Sequence, residues 1–174
     1  DPGRDLGWLL LRPWVAIPRL VQVLWSLAGL VLVLLLRGGS NDPAVQQGLA
    51  RRILNTLTGL GPCFIKLGQA LSTRPDLVRR DWLEELTRLQ DDLPAFPHAT
   101  ALACIREELG APAEELFEEF PDTPIAAASL GQVYKARLQG QHWVAVKVQR
   151  PNLTFILRRD LVLIRALGVM TAPL

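Results

Sequence analysis

The residues of this chain that could do chemistry are a loop of small residues and a lysine on the strand predicted to follow it. The loop lies in the stretch Pro124-Ile-Ala-Ala-Ala-Ser-Leu-Gly-Gln-Val-Tyr-Lys-Ala-Arg-Leu, and the lysine lies in Trp143-Val-Ala-Val-Lys-Val. Both stretches are rich in β-branched and aromatic residues and flank Gln139-Gly140-Gln141, so we predict a β-hairpin with Gly140 in the turn. A strand fixes the stem of a lysine, and its ammonium group can then act as a point charge between phosphates. The pattern therefore favours a phosphate-binding site.

The spacing is that of protein kinases, in which the phosphate loop is G-x-G-x-x-G-x-V and the next strand carries V-A-I-K. With Gly131 at the third glycine, Val133 falls on the valine and Lys147 on the lysine. Ala126 and Ala128 then replace the first two glycines. Alanine is largely confined to negative φ and adds a methyl group, so we expect a stiffer loop that holds phosphates differently. The alternative is a hairpin with an exposed basic tip and an ordinary strand lysine.

The composition is that of a globular protein with an apolar excess near its start. The chain has 174 residues, of which 49% are apolar and 21% are charged, enough for one core or one and a half domains. The net charge of +2 comes from the first forty residues, which argues against a nucleic-acid partner. Cys63 and Cys104 lack C-x-x-C spacing and a nearby histidine. We therefore predict a reducing compartment, with neither a disulfide framework nor a metal site in this chain.

An apolar run extends from Leu20 to Leu36 between two arginines. It is at the lower limit for a helix that spans a bilayer, for which about 20 residues are needed. Tryptophans, which favour membrane interfaces, accompany it at Trp8, Trp14 and Trp25. We predict that residues 1–40 form a hydrophobic, membrane-associated or re-entrant segment and a linker. The alternative is a helix packed on the body of the protein itself.

Helical signals dominate residues 41–122. Asp42 is an N-cap followed by proline and begins an amphipathic helix, which we expect Gly59 to end. A short helix that also begins with proline follows it. On this helix Lys66 and Gln69 are three residues apart, so they project from one face.

Further helices are predicted from apolar spacing and capping residues. One is expected to be capped by Asp81, and a short one is expected from Glu114 to Phe120. After the sheet, the stretch from Pro151 to Met170 is apolar nearly all round. We expect the helix formed by this stretch to be substantially buried.

Three stretches resemble one known family. Lys66-Leu-Gly-Gln matches the K-x-G-Q signature of the UbiB-type (AarF-like) atypical kinases, as do the alanine-rich loop Ala126-Ala-Ala-Ser-Leu-Gly-Gln and the segment Val144-Ala-Val-Lys-Val-Gln-Arg-Pro. The resemblance covers about Pro43 to Met170. It implies an α+β fold, namely the N-terminal part of a protein-kinase-like fold. A mostly helical K-x-G-Q accessory segment at 41–122 would precede the antiparallel nucleotide-lobe sheet and a helix at 123–174.

The resemblance also implies roles for individual residues. Lys147 would contact the phosphates, while Lys66 and Gln69 would cover the nucleotide pocket, and these three are the candidate catalytic residues. The other nucleotide-binding positions would be Ala126, Ala127, Ala128, Ser129, Leu130 and Gly131 in the loop, Val133 at the motif valine, and Ala145 against the adenine.

The implied cofactor is ATP or ADP with Mg²⁺, whose ligands are expected beyond residue 174. The family resemblance implies ATP hydrolysis or phosphorylation of a small molecule in support of isoprenoid quinone biosynthesis, such as that of ubiquinone or plastoquinone. The partners would be the nucleotide and a membrane lipid or quinone precursor. The expected location is the reducing face of a membrane, either cytoplasmic or of the plastid or mitochondrial matrix type.

A kinase site needs a glutamate that holds the strand lysine, a catalytic-loop aspartate and a magnesium-binding aspartate, and none can be assigned in this sequence. After Lys147 the only acidic residue is Asp160. We expect it in an ion pair with Arg159 on a helix surface, or with another partner within the helix, in preference to the alternative that it holds Lys147. By itself the chain should not be a competent phosphotransferase. The alternative function is a non-catalytic, membrane-bound interaction module.

Overall fold

The computed structural model describes residues 7, 11–91, 93–140 and 142–171. Trp8 and Gln141 therefore lie outside the described residues. The helices of the described part are α1 (Pro13–Arg37), α2 (Pro43–Leu60), α3 (Pro62–Ser72), α4 (Arg80–Asp91), α5 (His98–Leu109), α6 (Ala113–Leu116) and α7 (Leu153–Thr171). The strands are β1 (Phe117–Glu119), β2 (Ala126–Ala127), β3 (Gly131–Leu138) and β4 (Trp143–Gln149).

The chain forms two compact units, residues 1–89 with 154–174 and residues 90–153. The first unit is helical, and the second combines short helices with an antiparallel sheet. This arrangement confirms the predicted α+β class. The three functional segments predicted at 1–40, 41–122 and 123–174 stay a prediction, since the units are defined by packing alone.

Helix boundaries in the first unit follow their capping residues. Asp42 accepts a hydrogen bond from the backbone N–H of Ala44 at 2.9 Å, so it is the predicted N-cap of α2. The helix continues one residue past Gly59 and ends at Gly61, whose φ of 93° is open to glycine and costly for other residues. Pro62 then begins α3.

The core of the first unit contains a buried ion pair. The guanidinium of Arg19 on α1 donates from Nε to Oδ1 of Asp160 at 3.0 Å and from Nη2 to Oδ2 at 2.6 Å. Arg159 also donates to Oδ1 of Asp160, at 2.8 Å. The predicted ion pair with Arg159 is therefore present, but Asp160 is 1% exposed, so the predicted surface position was wrong. The physical reason is that α1 supplies a second, bidentate arginine from the opposite end of the sequence.

The last helix is less buried than predicted. Leu163 on α7 is buried together with Asp160, but Leu161 is 58% exposed and Phe155 is also exposed. The apolar residues of α7 therefore occupy exposed as well as buried positions. The expectation of substantial burial was wrong for these exposed positions.

The sheet of the second unit is built around β3. Strand β4 pairs along one side of β3, while β1 and β2 pair with different parts of the other side, all antiparallel. Gly140 has a φ of 97°, and the backbone N–H of Leu138 donates to the carbonyl of His142 at 2.9 Å. These features close the β3–β4 hairpin at the predicted turn.

The two faces of this sheet differ in burial. One face buries Tyr134, Ala136 and Val148 in a core that also contains Ala101 and Ile105 of α5. Side chains alternate along a strand, so the opposite face carries Val133 and Lys135 of β3 with Ala145 and Lys147 of β4. On this face both lysines and Ala145 are exposed.

Two local predictions were wrong. The stretch from Glu114 to Phe120 is not one helix, because α6 ends at Leu116 and Phe117 begins β1. Phe117 is buried in the sheet core and pairs with Leu138, and packing of this kind overrides the helical charge pattern. Asp81 is not an N-cap, since α4 already begins at Arg80.

Candidate functional site

The alanine-rich loop is a tight hairpin between β2 and β3. The backbone N–H of Ala128 donates to the carbonyl of Gly131 at 2.7 Å across the turn residues Ser129 and Leu130. The N–H of Arg150, just after β4, donates to the carbonyl of Leu130 at 3.0 Å. The loop is therefore held both by its own strands and by the end of the neighbouring strand.

Alanine and glycine occupy this loop for different physical reasons. Among the described residues, Asn152 is the one non-glycine residue with positive φ, so Ala126 and Ala128 adopt backbone conformations that alanine tolerates. Gly131 is required by close approach to β4, since a Cβ there would lie 2.5 Å from the carbonyl oxygen of Val148. The third glycine of the motif therefore serves strand packing in this loop.

The predicted lysine lies in register with the loop. Val133 of β3 pairs with Ala126 on one side and with Lys147 on the other. Residues paired across antiparallel strands project from the same face, with Cβ atoms about 4.5–5.5 Å apart. Ala145 precedes Lys147 by two residues and shares this face. The structure thus brings Ala126, Val133, Ala145 and Lys147 together on the exposed face, which we call the lysine face.

Two residues that sequence reasoning missed, Arg150 and Gln132, connect the alanine-rich loop and β3 to the segment before α5. Nη2 of Arg150 donates to the carbonyls of Pro94 at 3.0 Å and Ala128 at 3.4 Å, and its guanidinium carbon lies 5.5 Å from the ring centroid of Phe96. Burial lowers the pKa of Arg150 from its usual value. Arg150 therefore joins the segment before α5 to the alanine-rich loop.

Gln132 is the second of these supporting residues and is 1% exposed. Its Oε1 accepts from the N–H of Phe96 at 3.0 Å, and its Nε2 donates to the carbonyl of Phe96 at 3.3 Å and to Oη of Tyr134 at 2.6 Å. Its position directly after Gly131 in the matched motif was the one sequence signal that could have identified it.

We expect Gln132→Leu to lower the free energy of unfolding by about 1–3 kcal/mol, because the backbone N–H and C=O of Phe96 would lose their hydrogen bonds to this buried side chain. Chemical denaturation followed by circular dichroism measures this change. The matched control is Gln149→Leu on the exposed surface of β4, which should change stability little. Equal stability of the two variants would contradict the supporting role of Gln132.

The K-x-G-Q segment lies on α3 in the first unit. Lys66 is exposed, whereas Gln69 is half-buried and donates from Nε2 to the carbonyl of Leu89 at 2.6 Å. A Cβ on Gly68 would lie 2.4 Å from Cδ1 of Leu89 and 2.8 Å from Cδ1 of Leu57. The glycine thus permits close helix packing, and the glutamine fastens α3 to the end of α4. The predicted pocket-covering role of Lys66 and Gln69 stays a prediction.

The donor set of the lysine face fits part of a magnesium nucleotide. Lys147 carries a positive charge of the kind that phosphates attract, and Val133 and Ala145 form a small apolar surface against which a base would pack. Magnesium requires oxygen ligands, usually carboxylates. Within the described part of the second unit, the carboxylates beside β3 belong to Glu118 and Glu119 and lie near Arg137. The lysine face therefore offers a charge and an apolar surface of the kinds that a nucleotide needs, but the described residues form no set of ligands for the metal. Its role in nucleotide binding stays a prediction.

Comparison with known proteins agrees with these motifs. Residues 88–172 match the family model of the ABC1 atypical kinase-like domain. The uncharacterized protein sll0005 of Synechocystis sp. is 50% identical over 161 residues, which cover 91% of this chain and 23% of that protein. The protein Activity of BC1 complex kinase 3, chloroplastic, of Arabidopsis thaliana is 46% identical over 162 residues, covering 90% of this chain and 22% of that protein.

A solved structure is also similar, the complex of Rv3197 with erythromycin from Mycobacterium tuberculosis. It is 36% identical and covers 61% of this chain and 28% of that chain, with a TM-score of 0.39. The present chain spans about a quarter of the length of the curated relatives named above. The family match and the relatives confirm the resemblance seen in the sequence. The chain belongs to the ABC1 (UbiB-type) atypical kinase family and carries the N-terminal portion of its kinase-like fold.

Proposed function

We propose that the chain supplies the phosphate-binding part of a nucleotide site in an atypical kinase or ATPase. The observation that carries this proposal is the row formed by Ala126, Val133 and Lys147 across three paired strands. The row places a strand lysine and the alanine-rich loop on one exposed face. No carboxylate is needed for this part of the site, because its task is to bind and orient a polyphosphate.

The side chains on this face suit the two ends of a nucleotide. The ammonium group of Lys147 would neutralise phosphate oxygens, while its backbone stays fixed in β4. Val133 and the small Ala145 would contact the flat adenine ring, since a methyl group leaves room for it. Bound magnesium would neutralise further phosphate charge.

We further propose that the full-length protein supports isoprenoid quinone biosynthesis at a membrane, as the family resemblance implies. The exposed apolar surface of α1 and the chloroplastic relative support a membrane or plastid setting. The second candidate function, a non-catalytic membrane-bound interaction module, is favoured by that same apolar surface. The two functions differ in whether they require Lys147.

We expect Lys147→Met to weaken binding of a fluorescent ADP analogue by about 10–100-fold, because a hydrogen bond to a charged group contributes about 1.5–3 kcal/mol. Titration of the chain with the analogue measures this change. The matched control is Lys135→Met, a lysine on the same face whose Nζ lies 4.8 Å from the ring centroid of Trp143. Equal weakening by both variants, or no nucleotide binding by the wild type, would overturn the proposed site.

The same pair of variants tests the quinone proposal in the full-length protein. Cells that depend on this protein should lose isoprenoid quinone when it carries Lys147→Met and retain it with Lys135→Met. If quinone content follows neither variant while membrane binding persists, the interaction module becomes the better account.

A further inference from the structure

Helix α1 has two different faces. Arg19, Val23 and Leu30 are buried, and the helix packs against α2. The opposite face is exposed and apolar, and it includes Trp14, Ile17, Val21, Leu24, Leu32 and Leu35. These residues recur every three or four positions, apart from a wider gap before Leu32, so they form one stripe along the helix. We call this surface the apolar stripe.

The packing of α1 indicates how it meets a membrane. The helix is long and apolar enough to cross a bilayer, with a mean hydropathy of 2.2 over its most apolar 18 residues. Of these residues, 17% are buried inside the protein. Its packed side carries Arg19, which pairs with Asp160, and α2 lies alongside with Arg51 and Arg52. A crossing helix would carry these charges into the hydrocarbon region, where charges are costly. A helix lying in the interface keeps them at headgroup level.

A polar groove lies beside the apolar stripe, between α1 and α2. Its volume is about 620 Å³, and its lining includes Trp25, Ser26, Gly29, Arg51, Arg52 and Asn55. Gly29 leaves space for the neighbouring arginine, because a Cβ at that position would lie 4.0 Å from Nη2 of Arg52. Trp25 is 81% exposed at the border of the groove and the stripe. Guanidinium groups thus lie directly beside a surface suited to acyl chains.

The charge of this region is strongly one-sided. Residues 11–60 contain five arginines and one acidic residue, Asp42. Arg51 is also near Glu85, but the distance of 3.7 Å and its 60% exposed side chain leave it accessible. Arginine binds phosphate oxygens in a fork geometry, and basic residues near a membrane surface are attracted to anionic lipids.

We propose that α1 lies in the plane of an anionic membrane, with the apolar stripe among the acyl chains. The groove of Arg51 and Arg52 then binds the phosphate of an anionic phospholipid. This contact deepens the membrane setting of the proposed function. The binding needs neither a nucleotide nor Lys147, so it stands or fails separately from the proposed nucleotide site. It assigns the membrane contact to one helix face and the headgroup contact to two arginines on the next helix.

The headgroup contact is tested by cosedimentation of the chain with vesicles. Phosphatidylcholine vesicles that contain phosphatidylglycerol should bind it, and the affinity should fall about fivefold for Arg52→Gln and about thirtyfold for Arg51→Gln with Arg52→Gln. The control Arg106→Gln removes an exposed charge from α5 and should retain wild-type affinity. An equal loss of affinity in the control would mean that net charge alone explains the effect, and it would overturn the proposed lipid site in the groove. Equal competition by free inorganic phosphate would assign the groove to a soluble ion instead of a lipid.

The orientation is tested with variants that retain either Trp14 or Trp25 as the sole tryptophan, the others being replaced by Phe. Lipids brominated at known depths should quench both tryptophans at the same depth. A spanning helix would separate them by about 16 Å along the membrane normal, at 1.5 Å per residue, and such a difference would overturn the proposal. The headgroup contact does not depend on the single-tryptophan variants: the wild-type chain and the arginine variants keep every tryptophan and test that contact even where the single-tryptophan variants fold poorly.

Discussion

Replacing Asp160 with alanine is expected to lower the free energy of unfolding by about 3–5 kcal/mol, the cost of breaking a buried ion pair by removing one partner. Asp160 accepts from Arg19 at 3.0 Å and 2.6 Å and from Arg159 at 2.8 Å. Arg19 is itself 8% exposed and also donates to the carbonyl of Leu60. The variant would leave its guanidinium buried without a carboxylate. Urea denaturation followed by circular dichroism measures the loss.

Two further variants separate the ion pair from a general sensitivity to mutation. Asp76→Ala removes an aspartate that also pairs with an arginine, Arg74, at 2.7 Å but is 57% exposed, so its stability should stay close to that of the wild type. The double variant Arg19→Met with Asp160→Leu replaces both charges by apolar side chains and should recover much of the loss. A stability of Asp160→Ala equal to that of Asp76→Ala would disprove the role of the buried pair.

Gly131→Ala should produce the second large effect, a destabilisation of about 3 kcal/mol, the upper part of the range for overpacking. The added methyl group would lie 2.5 Å from the carbonyl oxygen of Val148 and 3.2 Å from the Cα of Gln149. Both neighbours are backbone atoms, so β4 itself has to move. Because Lys147 lies on β4, we also expect weaker binding of the ADP analogue. Thermal melting and nucleotide titration give the two readouts.

Gly59→Ala is the matched control for this prediction. Gly59 lies inside α2, and a Cβ there meets nothing within 4 Å. Alanine should therefore stabilise the helix by up to about 1 kcal/mol. If Gly131→Ala melts at the wild-type temperature, β4 can yield without cost, and the close-approach argument fails.

Local patterns predicted those parts of the fold that depend on neighbouring residues. The β3–β4 hairpin follows from two alternating stretches around Gly140, and the start of α2 follows from Asp42 and the proline after it. The register of Lys147 with Val133 is a consequence of that short hairpin. The lysine face could therefore be foreseen from the sequence, although its role in nucleotide binding is still a prediction.

Long-range contacts account for what the sequence could not predict. Asp160 meets Arg19 across 141 positions, and no local pattern indicates this partner. Phe117 lies in a stretch with helical charge spacing, but its ring is buried in the sheet core and its backbone is extended as the first residue of β1. Gln132 and Arg150 act on the segment near Phe96, which is distant in the sequence. In each case tertiary packing determined the outcome.

The pairing of β4 has a consequence for assembly. In the part of the chain that the structure describes, β4 pairs with β3 along one edge, and its other edge is not part of a ladder. An exposed strand edge presents a row of N–H and C=O groups that can direct the addition of another strand. The seven residues of β4 are long enough for such pairing. A strand added on that edge would lie beside Lys147 and would form a new wall next to the lysine face.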